Sequence, residues 1–156
     1  MKSRVYLETS VVSYLAALPS RDIVRAAHQQ LTRDWWAVRE QFELFTSQIV
    51  LDEAMRGDPD AAARRLSALQ GVALLDVTDQ AYEIAARFLA GGVMPAKAAS
   101  DALHVAIAVV HGMSYLLTWN CSHIANASIR GKIETMCRAA GLQPPLICTP
   151  EELLEE

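Results

Sequence analysis

Apolar positions along the chain switch between a strand-like and a helix-like period, and the switches mark out the elements. Residues 4–7 form a short apolar run that reads as a strand, and Ser10 stands where it would cap a helix over 11–18, which Pro19 and Ser20 end. Asp22 then caps a pattern reaching about residue 40, in which Ile23, Ala27, Leu31, Trp35 and Val38 recur at the spacing of one helix face. A second strand is expected over 43–46, with Ser47 as the cap of a helix to about 56. Gly57 and Pro59 punctuate the chain before a helix over 60–69. Gly71 precedes a third strand at 72–75, and Thr78 or Asp79 caps a helix that Gly91 and Gly92 close. Pro95 restarts the chain into a helix over 96–111, closed by Gly112. A fourth strand at 115–118, the loop "WNCSHIANA", a helix over 126–140, a fifth strand at 146–148 and a small terminal helix opened by Pro150 complete the pattern.

Strands alternating with helices predict an α/β fold: a single domain over 1–156 with a mainly parallel central sheet of about five strands flanked by helices. In such sheets ligands sit beyond the C-terminal strand ends, near the point where strand order reverses. Glu8 follows the first strand, Glu53 lies one helical stretch after the second, and Asn120 follows the fourth. Asp101 sits near the start of the helix that feeds the fourth strand. Three carboxylates and an amide, far apart in sequence, are thereby expected to converge on one end of the sheet, an arrangement opposed by like-charge repulsion unless a cation is held there.

Composition narrows the setting. At 156 residues, 52% hydrophobic and 21% charged, the chain is long enough for one well-buried core. No apolar run approaches the roughly 18 residues of a membrane span, and Glu8 interrupts the only apolar stretch near Lys2 and Arg4, so no signal peptide is expected. Cys121, Cys137 and Cys148 are odd in number and lack C-x-x-C spacing, which fits reduced thiols and a cytoplasmic protein. A net charge of -4 argues against nucleic-acid binding through a general basic surface, but leaves room for a carboxylate site whose bound cation supplies positive charge locally.

An all-oxygen set of this kind suits Mg²⁺ or Mn²⁺, which bind through a few carboxylates plus substrate phosphate, and the reaction class it implies is phosphodiester hydrolysis. Four stretches carry a resemblance: "VYLETSVVSYL", "TSQIVLDEAMRGD", "ASDALHVAIAV" and "YLLTWNCSHI". In this order and spacing they resemble the four motifs of PIN-domain ribonucleases, and the small stand-alone VapC-like members in particular. The resemblance implies a metal-dependent endoribonuclease acting on RNA as the toxin of a toxin-antitoxin pair, neutralised by a cognate antitoxin. It places Glu8, Glu53, Asp101 and Asn120 as metal and catalytic positions. Thr9 or Ser10 would be a free hydroxyl that orients a water or a phosphate. Glu8 stands where the family usually has Asp, and Asn120 where Asp is frequent, so the alternative is a catalytically weakened PIN-like binding protein.

Other residues have blander uses. Asp52 neighbours Glu53 on a different helix face. His104 lies three residues beyond Asp101 on the same face, where an auxiliary role in orienting a ligand or substrate competes with the more ordinary use as a half-buried, hydrogen-bonded ring. Cys121 and His123 lack a second pair of soft ligands, which rejects zinc. Trp35 and Trp36 mark an apolar helix face for the core, an antitoxin helix or a second copy of the chain in a homodimer, and Trp119 beside Asn120 is open to base stacking.

Overall fold

Five strands, β1 (Ser3–Leu7), β2 (Phe42–Ser47), β3 (Ala73–Leu75), β4 (Tyr115–Leu117) and β5 (Leu146–Cys148), form one parallel sheet in the order β3-β2-β1-β4-β5 in the computed structural model, which describes residues 1–154. The strands follow the expected runs to within a residue or two. Their near-continuous apolar sequences reflect a parallel sheet covered on both faces. The central strand shows this most strongly, since Val5, Tyr6 and Leu7 have no exposed surface.

The helices are α1 (Thr9–Ala16), α2 (Ile23–Ala37), α3 (Gln48–Ala54), α4 (Pro59–Ala68), α5 (Asp79–Ala90), α6 (Ala99–Val110) and α7 (Ala127–Ala139). Asp22, Asp58, Thr78 and Asn126 cap α2, α4, α5 and α7 with their side chains, each accepting from a backbone amide two or three residues on. Two expected caps differ. Ser10 lies inside the first turn of α1 and Glu8 takes the cap position, while Ser47 precedes α3 without a capping bond because its hydroxyl meets Tyr6 instead. The helix expected from residue 96 begins as a 3-10 turn, Ala96–Ala98, before α6 proper.

α6 is buried along its length, from Ala102 to Val109, and α2 turns Trp35 fully into the core against Phe42, 5.6 Å between ring centroids. Trp36 is half-buried with the Arg39 guanidinium 4.7 Å over its ring. Trp35 is therefore interior, whereas the same helix face is open at its other end, where Ile23 is exposed beside Val24. Among the described residues no helix is long and apolar enough to cross a membrane.

β1 pairs with β2 on one side and β4 on the other, so the strand order reverses beside β1. The crevice beyond the C-terminal ends of β1 and β4 is the place such a topology leaves for a ligand. Glu8 stands at its mouth, with its backbone amide donating to Leu117 O at 3.1 Å.

Candidate active site

Glu8 is only 5% exposed, so it is no solvated strand end. Its carboxylate accepts from the Ser10 amide at 3.2 Å, and one oxygen also takes the hydroxyls of Ser10 and Thr118, each at 2.5 Å. The strand-to-helix turn creates this directly: an extended residue at the cap position turns its side chain back over the first helical turn, where amides lack partners. Ser10 Oγ in turn accepts from the Trp119 amide at 2.8 Å. It is not free, and neither is Thr9, whose hydroxyl donates to Glu53 Oε1 at 2.7 Å.

Glu53 reaches the crevice from α3, whereas Asp52 points to solvent and accepts from Gln48 at 2.9 Å, as helical spacing requires. Ser100 donates to Glu53 Oε2 at 3.2 Å, and His104 Nε2 meets Glu53 Oε1 at 2.5 Å. Ser100 and His104 are one turn apart on α6, so the carboxylate lies along the opening turn of that helix. His104 has no exposed surface, more enclosed than expected, and its other nitrogen meets the Tyr6 hydroxyl at 2.7 Å, which meets Ser47 Oγ at 2.8 Å.

The electrostatics tie the carboxylates together. Burial alone would favour a neutral His104, but the hydrogen bond to Glu53 and the charges of Glu8, Glu53 and Asp101 outweigh it and raise the ring's pKa above its ordinary 6.5. Burial would likewise raise the pKa of Glu53. The hydrogen bond and charge of His104, with the hydroxyls of Thr9 and Ser100, instead bring it from 4.5 to about 2. Three carboxylates spread from residue 8 to residue 101 thus act on one buried imidazole. Burial, with Glu8 and Glu53 adding to it, pushes the Tyr6 phenol up against the opposing bond from Ser47, so Tyr6 stays a neutral hydroxyl.

Asp101 Oδ2 meets His123 Nδ1 at 3.0 Å, and Asn120 Oδ1 accepts from the His123 amide at 3.0 Å. Asn120 therefore closes the turn after β4, and its own amide donates to Thr118 Oγ1 at 2.9 Å. The contacts form a circuit: Glu8 to Thr118, the loop from Thr118 through Asn120 to His123, His123 to Asp101, neighbouring Ser100 to Glu53, and Glu53 to Thr9 beside Glu8. All four expected positions lie on this circuit. Trp119 is not available for bases: it is buried, donates from Nε1 to Thr32 at 2.8 Å and stacks on His28 with centroids 4.0 Å apart.

Sequence reading gave no site role to Thr118, Ser100 or Tyr6, took Ser47 as a helix cap and set His123 aside as a zinc ligand. Ser100 was within reach, one helical turn before His104. Tyr6 and Thr118 sit in apolar strand patterns that read as core, and the partners of Ser47 and His123 lie 41 and 22 residues away.

The donor set of three carboxylates and an amide oxygen has the chemistry of a hard-cation site. Among the described residues no three His, Cys, Asp or Glu side chains are drawn close enough to hold an ion in the present arrangement. Hydroxyls and imidazoles satisfy the carboxylate oxygens instead.

The family model for the PIN domain matches residues 5–120, from the first buried residue of β1 to Asn120. The chain belongs to the PIN domain family. Two solved structures share its fold. VapC20 of Mycobacterium tuberculosis, a toxin that cleaves the sarcin-ricin loop, is 20% identical, with 89% of this chain and 96% of that one covered and a TM-score of 0.60. VapBC2 from Rickettsia felis, bound to a DNA fragment from its promoter, is 13% identical, with 94% and 98% covered and a TM-score of 0.57. No curated protein matches. The PIN fold expected from the four motifs is thus the fold observed.

Proposed function

We propose that this PIN domain is a divalent-metal-dependent endoribonuclease and the toxin of a VapC-like toxin-antitoxin pair. The observation that carries the reading is the circuit of hydrogen bonds that links Glu8, Glu53, Asp101 and Asn120 beyond the strand ends, with Glu53 bonded to the buried His104, within a chain of the PIN domain family.

In this proposal Glu8, Glu53 and Asp101, assisted by Asn120, hold Mg²⁺ or Mn²⁺. A bound ion would supply the positive charge that a net-negative chain otherwise lacks against an RNA phosphate, and would favour deprotonation of an attacking water. The chain's own residues prepare the place. Thr118 and Ser10 fix Glu8, Thr9 and His104 fix Glu53, and His123 steadies Asp101, so that each of the three carboxylates, from three segments of chain, is held by its neighbours. Loading the site would exchange some of these hydroxyl and imidazole contacts for the cation. The antitoxin partner is supported by the likeness to a toxin-antitoxin assembly, and a homodimer is proposed alongside it.

The test is cleavage of a structured RNA panel with and without Mn²⁺. Glu8→Gln and Asp101→Asn proteins of unchanged fold are expected to lose divalent-dependent cleavage. Cleavage that survives in both variants refutes the reading. The weakened-catalyst alternative draws on Asn120, which brings no charge and uses its oxygen to close a turn. Calorimetric titration with Mn²⁺ separates the two, since a decayed pocket binds no ion specifically.

A further inference from the structure

Behind the acidic crevice lies a polar line that crosses the sheet where apolar packing would be the ordinary content. Ser47 at the end of β2, Tyr6 one residue before the end of β1 and His104 on α6 are all without exposed surface. Their polar atoms follow one another at 2.8 Å from Ser47 Oγ to the Tyr6 hydroxyl and at 2.7 Å from there to His104 Nδ1. The line ends at 2.5 Å from His104 Nε2 to Glu53 Oε1. Four elements, β2, β1, α6 and α3, each contribute one member. Burying so many polar groups opposes folding unless every one is satisfied, and here every one is.

We propose that Tyr6 and Ser47 are positioning residues of the site, acting through His104 to hold the Glu53 carboxylate in its binding orientation. The geometry explains each step. A ring with a partner at each nitrogen cannot rotate about its Cβ–Cγ bond without breaking both contacts. Tyr6, fixed in the central strand, anchors the ring from behind, and Ser47 fixes the direction of the Tyr6 hydroxyl. Glu53 is the carboxylate that needs such support, because it comes from a short helix, of seven residues, and is not held by the cap geometry that fixes Glu8. Outer partners of this type orient the groups that touch a ligand while touching none themselves.

This inference rests on the metal-site reading above, and the experiment keeps the two apart. Tyr6→Phe keeps the ring and removes the anchoring hydroxyl, Ser47→Ala removes the far end, and Ser47→Thr restores a hydroxyl there. Each protein is titrated with Mn²⁺ by calorimetry and assayed for RNA cleavage well below its melting temperature, with circular dichroism as the check of fold. Tyr6→Phe is expected to weaken Mn²⁺ binding by about tenfold and to lower kcat by about tenfold with KM unchanged. Ser47→Ala should move both in the same direction by less, and Ser47→Thr should recover them. A purely structural Tyr6 would lower the melting temperature and leave Mn²⁺ affinity and kcat intact. Folded Tyr6→Phe with wild-type affinity and kcat therefore overturns the proposal, and if that variant does not fold, Ser47→Ala decides by the same criterion. Wild-type protein that binds no Mn²⁺ overturns the metal-site reading itself, and this role with it.

Discussion

Glu8 is held as a buried carboxylate because three donors meet it: a backbone amide at a helix start and two hydroxyls. Charge-assisted bonds of this kind offset the cost of removing a carboxylate from water. Glu53 solves the same problem differently, with His104 as its counter-charge, and that pair gives a pH signature in protein without metal. The Glu53 pKa is lowered from 4.5 to about 2, so its contribution to stability is present above 4.5 and is lost as pH falls through about 2. The His104 pKa is raised above 6.5, so its contribution is complete below 6.5 and is lost as pH rises through the folded-state value. The pair supports the fold most between those ordinary values of 4.5 and 6.5. Denaturant midpoints of chelator-treated protein across pH should peak in that window, and Glu53→Gln should remove the peak.

At the scale of elements, the site is assembled from the ends of secondary structure. The cap of α1, the opening turn of α6 and the turn after β4 all expose amides or short polar side chains that the interior of an element would have consumed. The turn after β4 is fixed from the outside by α2, through the Trp119 indole on Thr32 and His28. Truncating Trp119 to Ala removes both the packing and the bond, and is expected to destabilise the fold by about 3 kcal/mol or more, read from chemical denaturation. Because Asn120 and His123 ride on the same turn, Mn²⁺ affinity in that variant should fall as well. The tryptophans of α2 itself carry a different lesson. A helix face with apolar spacing declares that it is buried, but not whether the cover is its own sheet or another chain; here the sheet covers Trp35.

For the whole molecule, the parallel order β3-β2-β1-β4-β5 puts the reversal beside β1, and the carboxylates lie around that reversal. A ligand that binds the folded chain and not the unfolded one stabilises it by mass action, about 2.7 kcal/mol at a hundredfold excess over Kd. Added Mn²⁺ is therefore expected to raise the melting temperature of the wild-type chain, a chelator to reverse the rise, and Glu8→Gln to abolish it. An equal rise in Glu8→Gln would place the ion elsewhere on the molecule.

Periodicity alone determined the five strands, the helices between them and the parallel α/β class, because burial of one helix face or both strand faces is written locally in the order of apolar residues. It also placed Glu8, Glu53, Asp101 and Asn120 at the ends of elements, and the four motif stretches they occupy were enough to carry the family resemblance. What surrounds these residues was decided by tertiary structure. Tyr6 and His104 stand 98 residues apart, and Glu8 and Thr118 110 apart, and no local pattern encodes which hydroxyl will meet which carboxylate. A tyrosine in an apolar strand looks like packing until the fold brings an imidazole to its hydroxyl. Those partnerships depend on three-dimensional approach in a low-dielectric interior, where an unmatched polar group is strongly unfavourable and a matched one fixes the geometry of the site.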